Sequence, residues 1–175
     1  KFHAKTRKWW DIWYNFLIAP DWTIYEWRYG WTDAVWAHAS YNNHDSVWIS
    51  VMWNFENTDP TKEQLMSLAK LTTILVKKYR IDITKPTIYH QFVDAWPTYM
   101  LDRSLLPIIW HRDVWNTSCP WVNLYSYFPF VYKMVGAQVW AIENGPAQTH
   151  WIESTRFYIP LDTWTQRIAY DKEIV

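Results

Sequence analysis

The chain has 175 residues, half of them hydrophobic, enough for one ordinary domain with a real core and a short extension. Lys plus Arg equal Asp plus Glu at 17 each, so no basic field points to nucleic acid. A single cysteine, Cys119, excludes an internal disulfide framework, and no apolar run reaches the roughly 18–20 residues of a membrane span.

From Trp13 to Trp53 apolar residues alternate with period two, which predicts strands at Tyr14 to Ala19, Thr23 to Trp27 and Val47 to Trp53. Asp21-Trp22 lies between the first two. A hairpin there favours Asp-Gly, because the turn needs positive φ and a residue with a Cβ is strained in that region. The stretch Tyr29 to Asp45 is polar and aromatic without a period and reads as a long surface loop.

A helix follows, with Asp59 as N-cap, Pro60 at the first helical position, and Leu65, Leu68, Leu71, Leu75 and Tyr79 spaced along one apolar face. Lys77, Lys78 and Arg80 then fall at the negative end of its dipole, as solvated capping charges. Leu105 to Trp110 reads as a short buried strand, and the aromatic stretch Leu124 to Val135 as a helix around Pro129. Beyond Gly136 the pattern dissolves: Asn144-Gly145-Pro146 is a break, and Trp151 to Val175 forms either two strands or a partly ordered tail. There is no internal repeat. The chain opens at Lys1 without methionine or a visible secretory signal, as a fragment or processed product does.

Between the last predicted strand and helix lies the chemistry. His111-Arg112-Asp113-Val114 precedes Thr117-Ser118-Cys119-Pro120, which puts an imidazole and a thiol eight residues apart on one loop. Mixed His and Cys ligands suit zinc. The spacing by itself is a weak signal and better fits a buried structural cysteine beside a surface histidine.

The composition is skewed in a way that bears on this loop. There are 16 Trp and 3 Gly, whereas glycine normally makes up about 7% of a globular protein. With glycine read for Trp13, Trp22, Trp27, Trp36, Trp48, Trp53, Trp110 and Trp121, several segments together form one pattern. They are Asp11-Ile12-Trp13-Tyr14-Asn15-Phe16, Asp21 to Arg28, Trp36-Ala37-His38-Ala39, Ser46-Val47-Trp48-Ile49, Trp53-Asn54-Phe55, Trp110-His111-Arg112-Asp113 and Cys119-Pro120-Trp121. Over residues 3 to 135 the chain resembles the zinc-dependent N-acetylmuramoyl-L-alanine amidases, a family that includes phage lysozyme-type amidases and the peptidoglycan recognition proteins. The substitution predicts a source that reads UGA as glycine; UGG codons at these eight positions would exclude it.

The resemblance implies an α/β fold with a mixed central β-sheet flanked by helices, its first, metal-bearing strand missing from this chain. It implies an amidase-like domain over 1–136 and an extension of unknown role over 137–175. His111 and Cys119 match the second and third Zn²⁺ ligands. The first ligand would come from a His-bearing strand upstream, so the 175-residue chain is expected to hold zinc weakly. Tyr14 matches a tyrosine beside the metal, and Thr117 the position two before the third ligand; both are the expected catalytic groups, with a core tyrosine as the plainer alternative for Tyr14. Ser50 falls where another branch of the family carries a catalytic glutamate, which removes that general base here. His38 and Asn42 lie on the loop that lines the substrate groove, although structural hydrogen bonding suits His38 equally. Glu26 and Arg28 are expected to pair structurally, and Arg112 and Asp113 to orient the metal loop.

The activity implied is hydrolysis of the amide between N-acetylmuramic acid and L-alanine in peptidoglycan, the expected partner, in a secreted or cell-envelope setting. The alternatives are a non-catalytic peptidoglycan-binding module, against which Cys119 argues, and a carbohydrate-binding protein whose tryptophans stack on sugars. The second alternative needs those tryptophans on one face, and they fall on strands and turns alike.

Overall fold

The computed structural model describes residues 14–27, 43, 45–93 and 99–144, together with the backbone of 157–161 and 165–169. The run Phe16-Leu17-Ile18 forms β1 (Phe16–Ile18), buried at all three positions, as an unbroken apolar run should be when both faces of its sheet are covered. It pairs antiparallel with β2 (Ile24–Glu26), Leu17 opposite Tyr25, and parallel with β3 (Ile49–Val51), Leu17 opposite Ser50. The chain closes this sheet with β6 (Phe157–Leu161), parallel to β2, and β7 (Thr165–Ala169), antiparallel to β6. The order is β3-β1-β2-β6-β7, a mixed sheet, and the last segment of the chain contains the two strands that were one of its expected forms.

The β1–β2 connection turns through Pro20, Asp21 and Trp22. Asp21 Oδ1 accepts from Thr23 N at 3.1 Å, and Trp22 N donates to the Ala19 carbonyl at 2.9 Å. Among the described residues, four non-glycine residues have positive φ: Trp22 (61°), Asp45 (55°), Arg80 (54°) and Trp121 (68°). Two of the four are positions where the resemblance calls for glycine.

Against the sheet lies α1 (Lys62–Lys78), the predicted long helix. Its N-cap is Thr61, two residues later than the expected Asp59. Thr61 and Gln64 exchange hydrogen bonds of 3.1 Å in each direction and satisfy two amides at the helix start, which Asp59, ahead of Pro60, does not do. Leu65, Leu68, Leu71 and Leu75 are buried as the spacing predicted; Tyr79 is the C-cap and is exposed.

The aromatic stretch is two helices rather than one: α3 (Trp121–Ser126) and α4 (Phe128–Asn144), separated at Tyr127. Pro129 sits in the first turn of α4, where a missing N–H costs nothing. Helix α4 continues through Gly136 to Asn144, past the point where the pattern dissolved. A glycine inside a helix weakens it by about 1 kcal/mol without ending it, and burial of Val131 and Val135 against the core offsets that. Thr73 of α1 hydrogen-bonds Gln138 of α4 at 2.7 Å, and Lys77 pairs with Glu143 at 2.7 Å.

Leu105 to Trp110 is not the strand expected. The strand lies earlier, β5 (Tyr99–Leu105), paired antiparallel with β4 (Thr87–Val93) in a separate two-stranded sheet. Pro107 lacks the N–H that a ladder needs, and Ile108 and Trp110 instead pack their side chains against the core. The loop Tyr29 to Asp45 lies almost wholly outside the described residues. No helix among them is long and apolar enough to cross a membrane.

Candidate metal centre and substrate cavity

A cavity of about 880 Å³ opens between β3, α1 and the segment Leu105 to Pro120. Leu68, Leu75 and Phe55 form its apolar floor, and Tyr14, Ser50, His111 and Cys119 bring polar atoms to its wall. Tyr14 reaches it from its place two residues before the start of β1. Asn15, 1% exposed, anchors that point: its Oδ1 accepts from Trp48 N at 2.9 Å while its own N donates to the Trp48 carbonyl at 3.0 Å.

His111 opens α2 (His111–Val114), a single turn. Asp113 braces the start of that turn, its Oδ2 accepting from Trp110 N at 2.7 Å and its Oδ1 from the Tyr125 hydroxyl at 3.2 Å. Arg112 lies over the Tyr125 ring at 4.6 Å, so both charged neighbours of His111 hold this loop to α3. The imidazole meets the edge of the Trp48 ring at a centroid distance of 5.1 Å, and its Nε2 is buried.

Cys119 follows a short turn in which Thr117 Oγ1 accepts from Cys119 N at 3.2 Å. Thr117 therefore shapes the thiol loop. Burial pushes the Cys119 thiol above its ordinary pKa. Tyr14 is raised by burial first and by the neighbouring Cys119 charge second, which keeps its phenol protonated and able to donate. Trp110 Nε1 is buried with no hydrogen-bond partner among the described residues, an indole donor that a glycine at this position would not bury.

The structure thus brings together Tyr14, Ser50, His111 and Cys119, all singled out in the sequence, around one cavity. His38, Asn42 and Arg28 lie outside the described residues. Among the described residues no group of three or more His, Cys, Asp or Glu side chains assembles as a metal site. His111 and Cys119 supply one imidazole nitrogen and one sulfur, donors of the type zinc prefers, and so fit part of a zinc ligand set. Asn15 was not singled out by sequence reasoning. Its signal was a polar residue opening a run of buried apolar ones, since a buried carboxamide needs partners.

A mixed sheet backed by helices, with phenol, imidazole and thiol around one cavity beside β3, defines an α/β protein with a candidate site there. The chain belongs to the N-acetylmuramoyl-L-alanine amidase family, which matches residues 1–121. It is 30% identical over 125 residues to peptidoglycan-recognition protein SC2 of Drosophila simulans and, equally, of Drosophila melanogaster, a match covering 71% of this chain. The chain spans 55% of the length of those curated relatives. Among solved structures it is similar to the N-acetylmuramoyl-L-alanine amidase LysC from Clostridium intestinale URNW, with a TM-score of 0.51 and 30% identity over 78% of this chain and 70% of that one. The endolysin amidase LysCS from the same organism matches with the same TM-score and covers 68% of its chain.

Proposed function

We propose that this chain carries the catalytic centre of a zinc-dependent amidase that cleaves the bond between N-acetylmuramic acid and L-alanine in peptidoglycan. The observation that supports it is the convergence of Tyr14, His111 and Cys119 on one cavity in a chain of this family. In this reading His111 and Cys119 are two ligands of a Zn²⁺ ion, which when bound polarises the scissile carbonyl and activates water.

The chain's own residues do the rest. Tyr14, held protonated, donates a hydrogen bond to the oxyanion of the tetrahedral intermediate. Thr117, whose oxygen already accepts from Cys119 N, has its hydroxyl hydrogen left to donate and contributes no charge. The apolar floor excludes water from the reacting bond, and His38 and Asn42 contact the glycan or stem peptide. The amidase-like unit is 1–136, with 137–175 as an extension, and the protein works at the cell envelope or after release from a cell.

The test uses protein expressed from the full reading frame and purified muropeptide. Release of peptides with a free N-terminal alanine, abolished by Cys119→Ser and by a zinc chelator, is the expected result. The recognition-protein relatives favour one competing reading, a non-catalytic peptidoglycan-binding module. Saturable muropeptide binding with no new amino termini would establish that reading instead.

A further inference from the structure

The β4–β5 hairpin stands apart from the central sheet, and much of it faces solvent: Ile88, Tyr99, Met100 and Leu101 are all exposed. Little apolar burial ties it down. Two of its polar side chains, however, reach the turn that carries His111. Arg103 Nη1 donates to Gln91 Oε1 across the two strands at 3.1 Å and also to the Asp113 carbonyl. Gln91 Nε2 donates to the Val114 carbonyl at 2.7 Å.

Those carbonyls belong to the last two residues of α2, where no following helical turn supplies an N–H donor. A turn of four residues does not hold itself, because nucleation costs more than one hydrogen bond returns. Its backbone closure is Trp115 N to the His111 carbonyl at 2.9 Å, with Asp113 N to the Trp110 carbonyl at 2.9 Å before it. A guanidinium at the negative end of the turn, linked to an amide that takes the next carbonyl, supplies what the turn lacks.

We infer that Arg103 and Gln91 are positioning residues of the centre: they clamp the C-terminal end of α2 from the hairpin and thereby set the direction of the His111 imidazole. The inference rests on the reading of His111 as part of the centre. Asp113, within the turn, caps its N-terminal side through Trp110 N, so the turn is held at its start by its own side chain and at its end from the hairpin.

The experiment compares Arg103→Met, Arg103→Lys and Gln91→Leu in the 175-residue chain by NMR. Arg103→Met is expected to speed amide exchange at residues 113 and 115 by about tenfold or more and to move the His111 ring signals, with the amides of Leu71 and Ile74 in α1 unchanged. Arg103→Lys restores most of the protection and of the ring signals; a residue that only packs would not respond to charge and donor in this way. If Arg103→Met loosens α1 as well, Gln91→Leu decides, since it removes the Val114 contact and leaves the guanidinium in place. Unchanged His111 signals and unchanged exchange at 113 and 115 in both Arg103→Met and Gln91→Leu would overturn the clamp. Failure of the amidase reading shows elsewhere, as absent muropeptide cleavage by the full-frame protein with the clamp behaviour intact.

Discussion

Asn15 Oδ1 accepts a hydrogen bond from Trp48 N at 2.9 Å, and the Trp48 carbonyl accepts from both Asn15 N and Phe16 N, at 3.0 and 3.1 Å. The carboxamide completes the ladder where β1 and β3 begin, and Trp27 N donates to the Asn15 carbonyl at 3.0 Å on the β2 side. The buried side chain of Asn15 therefore ties β1 to the start of β3, and its backbone carbonyl ties β1 to β2, next to Tyr14. Asn15→Leu should destabilise the chain by about 1–3 kcal/mol, because the Trp48 amide loses its acceptor. Asn15→Asp, which keeps an acceptor oxygen, should cost less. Denaturant unfolding checks this, and an unchanged midpoint in Asn15→Leu would remove Asn15 from the account.

Trp22 and Trp121 occupy left-handed backbone, φ 61° and 68°, whereas Trp53 does not. A side chain costs roughly 1–2 kcal/mol in that region, and glycine costs almost nothing. Trp22→Gly and Trp121→Gly should each raise stability by about 1 kcal/mol, while Trp53→Gly, at ordinary φ, should not. Thermal unfolding of the three variants distinguishes them. Reading the codons addresses the same point, with UGA at positions 22 and 121 expected.

The cap of α1 is testable by itself. Thr61→Ala removes the hydroxyl that accepts from Gln64 N and should cost about 1 kcal/mol, whereas Thr61→Ser should be close to neutral. Equal stability of the alanine and serine variants would count against the reciprocal cap.

Burial raises the pKa of Cys119 above its ordinary value of 9.0. Alkylation, which follows the thiolate, should therefore reach its half-maximal rate at a higher pH in the folded chain than in the unfolded one. The sign for stability is the same: above the ordinary value the unfolded state releases its proton first, so this group's contribution falls as pH rises. In the full-frame protein, added zinc should slow alkylation of Cys119 at fixed pH, because ligation requires the thiolate and then shields it. An alkylation rate indifferent to zinc would remove Cys119 from the ligand set.

The elements legible in the sequence were those with one buried face or with an unbroken buried apolar run. Leu65, Leu68, Leu71 and Leu75 announced α1, and the run Phe16 to Ile18 announced β1. The hairpin β4–β5 was not legible: in it His90 and Asp102 pair at 2.7 Å and Ile88 and Met100 face outward, so neither strand shows the contrast between apolar and polar faces on which a period depends. The end of α4 was missed because Gly136 looked like a stop, while the packing of Val131 and Val135 overrides a cost of about 1 kcal/mol.

By itself, then, the amino-acid sequence determined the chemical types at the centre: a phenol at 14, an imidazole at 111, a thiol at 119, and a chain patterned for an α/β domain. Their meeting around one cavity was decided by tertiary structure. So were the hold of Asn15 on a strand 33 residues away and the reach of Arg103 and Gln91 to the turn of His111. The reason is physical: residue type and local period are properties of neighbours in the chain, whereas a hydrogen bond between distant backbone and side-chain groups exists only after packing has removed the water that would otherwise take it.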